Sequence, residues 1–74
     1  MATVYMIKIK NKKDTRFYKK GQEGWLGIGG FHPDEYKDTA FKCKTINQAK
    51  YNADQAKLWH KDEWDILGIF TFII

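Results

Sequence analysis

The chain has 74 residues, 43% of them hydrophobic and 16% aromatic, with a formal net charge of +4. That length makes one domain, residues 1–74, near the lower limit for an unstapled core, and so apolar a composition excludes a disordered chain. A lone cysteine excludes an internal disulfide, and Cys43 suits a reducing cytoplasm.

The charge is uneven. Residues 1–20 carry Lys8, Lys10, Lys12, Lys13, Arg16, Lys19 and Lys20 against Asp14 alone, whereas residues 21–74 carry more acids than bases. Lysines of this kind serve either as guards on strand edges or as a surface that meets an acidic partner.

Val4 to Lys10 alternates, with Tyr5, Ile7 and Ile9 on one side and Met6, Lys8 and Lys10 on the other, which predicts a strand with one buried face. A polar turn at Asn11–Asp14 leads to a second expected strand, Thr15–Lys20, so the two read as a hairpin. Alternation followed by lysines is not the pattern of a secretory leader. Gly21–Gly30 holds five of the six glycines, with Trp25, Leu26 and Ile28 among them. This stretch reads as a short third strand or wide loop, in which glycine permits bends and close approach. An anion cradle is the weaker reading, because no Gly-Lys-Ser/Thr follows and no helix starts directly after. His32–Glu35 reads as a loop, with Pro33 and two acids able to open one helical turn through Lys37. Ala40–Lys44 is expected to be a short strand with Phe41 and Cys43 on one side.

The clearest element is the helix, residues 46–60. Thr45 caps it, and Gln48 is placed to reach back to the Thr45 amide. Ile46, Ala49, Ala53, Ala56 and His60 share one face, and so small a stripe lets a helix lie close against a sheet. A charged connector, Lys61–Asp65, precedes a last strand, Ile66–Ile74. Phe70, Phe72 and Ile74 fall on one face of that strand and Ile69, Thr71 and Ile73 on the other, the pattern of a central strand in a covered sheet. It is too short for a membrane helix, which needs roughly 20 residues. The fold class expected is therefore α+β: a small antiparallel sheet of three to five strands with one helix packed on one face. One helix covers only one face, so the second must meet the glycine-rich segment, a second copy in a homodimer, or a partner.

Several short features resemble small bacteriophage-encoded proteins: the N-terminal strand, Phe17-Tyr18-Lys19-Lys20-Gly21, Trp25, Ala40-x-x-Lys-x-Lys, and Thr45 with Ala49-Lys50-x-Asn52. The resemblance spans residues 4 to 56 and brings no catalytic residue with it. It implies an inhibitor or modulator of host machinery, working in the host cytoplasm.

No catalytic, cofactor or metal site is expected. His32, His60 and Cys43 lack zinc-site spacing, Cys43 alternates with Phe41 as a small core residue, and a 74-residue chain offers little concave surface for the base and orienter that nucleophilic catalysis needs. For a protein partner, Tyr51 and Leu58 lie together on the helix side opposite the alanines, and Trp64 and Trp25 are further candidate anchors. The alternative is nucleic acid bound by Lys8, Lys10, Lys12, Lys13, Arg16, Lys19 and Lys20, with neighbouring rings to stack bases. A virion accessory subunit and a protein that sequesters a nucleotide signal are the remaining expectations.

Overall fold

A computed structural model describes residues 1–74. The chain forms an α+β fold: a four-stranded antiparallel sheet and one main helix. The strands are β1 (Thr3–Asn11), β2 (Glu23–Gly27), β3 (Gly30–Pro33) and β4 (Trp64–Ile73), in spatial order β3-β2-β1-β4. Helix α1 (Ile46–Trp59) covers one face. No helix is long and apolar enough to cross a membrane.

β1 is central because its alternation serves two covered faces. Ile7 and Ile9 are fully buried with Leu26 and Cys43 beneath Ala49, Ala53 and Ala56, and Tyr5 packs on the same side, as the alternation predicts. Val4 and Met6 are buried on the opposite side, where Met6 packs with Trp25 and Ala40. The helix starts as its cap predicts, with Thr45 Oγ1 accepting from the Gln48 amide at 3.1 Å. Gln48 reaches one residue further back than expected and accepts from the Lys44 amide at 3.2 Å. Ile46, at the first helical position, stays exposed.

Four expectations fail. Thr15–Lys20 is not a strand, so the expected first hairpin does not form. Phe17 stays exposed, and only Tyr18 packs, on Phe31. Side chains also take the backbone bonds a ladder needs: Asp14 Oδ1 accepts from the Lys20 amide at 2.7 Å, and Thr15 Oγ1 from the Tyr18 amide at 3.0 Å. β1 pairs instead with β2, Lys8 opposite Trp25. The glycine-rich stretch supplies two strands, and His32 and Pro33, expected in a loop, close the second. The β2–β3 turn needs glycine, with φ of 83° at Gly29 and 115° at Gly30. Ala40–Lys44 makes only isolated bridges, Gly27 to Ala40 and Tyr5 to Cys43, although Phe41 and Cys43 do pack on one cluster. β4 lies at the sheet edge and not at its centre. Its bulge at Leu67, between the Lys8–Gly68 and Ile9–Ile66 pairs, keeps Ile66 and Ile69 on the helix side.

The face away from α1 is partly closed from within the chain. After Pro33, Asp34–Thr39 forms 3-10 turns kinked at Tyr36, and this strap crosses β2 and β3. Trp25 Nε1 donates to Asp34 Oδ1 at 3.0 Å, and the Lys37 ammonium sits 4.9 Å from the centre of the Phe72 ring.

Candidate binding surface

The α1 C-terminal half and the β2–β3 turn face each other. Between them lies an open cleft of about 620 Å³. Leu26 and Ala56, both buried, form its floor, the turn Gly27–Gly30 one wall, and Asn52, Gln55, Trp59 and His60 the other. Glu63 and Trp64 close one end. The volume lies within the usual range for ligand pockets, about 300–1,000 Å³.

The walls are held from both sides. His60 Nδ1 and Glu63 Oε1 are 3.0 Å apart, and the His60 ring packs at 4.5 Å and 34° on Trp64. Trp64 in turn lies against Gly30, where a built Cβ would come within 2.8 Å of Trp64 Cζ2. The turn is anchored by His32, whose Nε2 lies 2.9 Å from the Ile28 carbonyl and whose Nδ1 lies 2.9 Å from Thr39 Oγ1. Trp59 Nε1 donates to Gln55 Oε1 at 3.2 Å, which fixes the indole along the rim.

The rim is apolar and open. Trp59 is 72% exposed and Ile28 80% exposed on opposite sides of the mouth. Tyr51 and Leu58, the expected partner-binding pair, are also exposed, on the outer side of α1 next to Gln55 and Trp59. Trp64 belongs to the cleft, as a half-buried wall. Trp25 does not: at 4% exposure it is a core residue on the opposite face, edge-on to Phe70 and Phe72, and it cannot anchor a partner. Reading the sequence by the alanine stripe passes over Trp59. The signal that finds it is Asn52, Gln55 and Trp59 at helical spacings of three and four, a second stripe beside the first.

The basic residues separate. Lys8 is occupied, 3.4 Å from Glu23 and about equally close to the Trp25 and Phe70 ring centres, at 5.5 and 5.4 Å. Lys10 is half-buried on β1, and Lys12 donates to the Lys61 carbonyl at 2.8 Å and lies 3.8 Å from Asp65. Lys13, Arg16, Lys19 and Lys20 remain exposed on the β1–β2 loop, with Phe17 exposed between them. Tyr18 holds that loop to the fold by packing 4.8 Å from Phe31. No group of three or more His, Cys, Asp or Glu side chains is placed to hold a metal ion. No family model, curated protein or solved structure matches this chain.

Proposed function

We propose that this chain is a non-enzymatic binding protein that engages another protein through the cleft between α1 and the β2–β3 turn. The observation that carries the reading is Trp59, exposed beside a cleft with an apolar floor. Exposed aromatic residues around a concave apolar site are the usual anchors of protein interfaces. The rim extends beyond the cleft to Tyr51 and Leu58, which suits a partner segment that seats one apolar side chain and lies across the helix. The resemblance to small bacteriophage proteins adds the style of action: inhibition or modulation of a host cytoplasmic protein or defence system.

Retention of a bacterial partner on immobilised protein tests this, provided it is compared with Trp59→Ala and Leu58→Asp. Loss of the same partner from both variants is expected. Equal retention by wild type and both variants overturns the cleft as the site.

Nucleic-acid binding is the second reading, favoured by the exposed loop set Lys13, Arg16, Lys19 and Lys20 around Phe17. A phosphate-led complex loses affinity steeply with salt, and charge reversal at Arg16 and Lys19 abolishes it. A virion accessory subunit would instead form a defined assembly without a host partner.

A further inference from the structure

The sheet has two edges, and only one is guarded. β3 is four residues long and ends in Pro33, which has no N–H to offer. Tyr18, Tyr36 and Thr39 gather around Phe31–Pro33 in a hollow of about 170 Å³. β4 is ten residues long, and from Ile66 to Ile74 it has neither a charge nor a proline. Soluble proteins ordinarily blunt an edge like this with lysine, proline, a bulge or a covering element; the one bulge of β4, at Leu67, lies outside Ile69–Ile73 and leaves that stretch unguarded.

The direction of its free hydrogen bonds follows from the ladder. Ala2 and Ile74 exchange both backbone bonds, at 2.7 and 2.9 Å. Antiparallel pairs alternate between bonded and non-bonded, and Val4 faces Phe72 while Met6 faces Phe70. Phe70 and Phe72 therefore turn their N–H and C=O groups to β1. Ile69, Thr71 and Ile73 turn theirs outward, away from the sheet.

We propose that β4 pairs antiparallel with β4 of a second copy of this chain, about a two-fold axis at Thr71, to make one continuous eight-stranded sheet. The outward groups are symmetric about Thr71, so Ile69 meets Ile73 of the copy and each bonds the other. Phe70 then stands beside Phe72 of the copy and extends the ring cluster around Trp25. Side-chain character is preserved on both faces, apolar beside apolar. Charge selects the antiparallel arrangement: Asp65, the one charged residue of β4, is set far from its symmetry mate, whereas a parallel copy would place the two together. Assembly stops at two, because the guarded β3 edge offers no further ladder. This surface is separate from the cleft, so the dimer leaves Trp59 free.

Light scattering on the full chain should give twice the 8.7 kDa of one copy. Hydrogen exchange should show the amides of Ile69, Thr71 and Ile73 slowed at least roughly tenfold as concentration rises through the dimer transition. Thr71→Pro removes an outward N–H and leaves the β1 ladder intact, so it should yield a monomer with an unchanged circular-dichroism spectrum. Should Thr71→Pro unfold, Thr71→Lys, an ordinary edge guard, decides the matter and should also be monomeric. Three results overturn the proposal: a wild-type monomer at all accessible concentrations, a dimer that persists in Thr71→Lys with those amides exchanging fast, or protection of the three amides only when a different protein binds.

Discussion

The two faces of the sheet are closed by different means, and the contrast shows what a chain this small can cover. On one side, three alanines bring α1 so close that Ile7 and Ile9 lose all exposure. On the other, Met6 and Trp25 are nearly as buried, yet no residue of the strap Asp34–Thr39 is itself buried. That strap is a thin cover held by a few specific contacts, chiefly the Trp25–Asp34 hydrogen bond and the Gly27–Ala40 bridge. It reaches β2, β3 and Phe72 and leaves Phe70 40% exposed beyond it. The second face thus needs no other chain to bury its centre. Open apolar surface is left at the β4 edge and along the cleft rim.

If the strap face is a true core, Trp25→Ala should be the most damaging substitution in the protein, at about 3–5 kcal/mol in urea unfolding. A loss below about 1 kcal/mol would mean that the strap stands open in solution. Ile7→Ala, under the helix, should cost about 2–5 kcal/mol, which exhausts much of the stability expected of a small domain. Similar losses at the two positions would show that two unlike covers do equal service. Gly30→Ala sharpens the contrast at the cleft. It combines a φ of 115° with a Cβ pressed on Trp64, and should cost about 1–3 kcal/mol and shift tryptophan fluorescence. Asp34→Ala removes only the acceptor of the Trp25 N–H and should cost about 1–3 kcal/mol, with faster exchange confined to the strap and β2. Thr45→Ala should cost about 1 kcal/mol through the lost cap, with no effect on the strap face.

The helix side was legible because its signals are local. Thr45 and Gln48 mark a start, and the alanines at spacings of three and four mark a face. The strap side was not, because its cover depends on pairings distant in sequence. Thr15–Lys20 has the residue types of a strand, but only its side-chain bonds reveal the turn it makes. Gly21–Gly30 lacks clean alternation, since Gly24 and Gly27 stand where other strands carry side chains. In both cases close approach explains the glycine: a Cβ at Gly24 would meet the His32 carbonyl at 2.4 Å, and one at Gly27 would meet the His32 ring at 2.7 Å. Apolarity on both faces of β4 suggested a central strand, because a covered strand and an unguarded edge share that composition. Of the expected anchors, Tyr51 and Leu58 are exposed and Trp64 lines the cleft. Trp25 is buried instead, because the strap folds over a tryptophan that its glycine neighbours alone would leave displayed.

On the function proposed above, a partner binds through the cleft rim and not through the basic loop. Titration of a purified partner against wild type, Trp59→Ala and the double variant Arg16→Glu/Lys19→Glu, at low and moderate salt, separates the two surfaces. Roughly 30-fold weaker binding is expected for Trp59→Ala, with little change for the charge-reversed variant. Full affinity in Trp59→Ala, together with loss of binding on charge reversal and a steep salt dependence, would move the site to the basic loop.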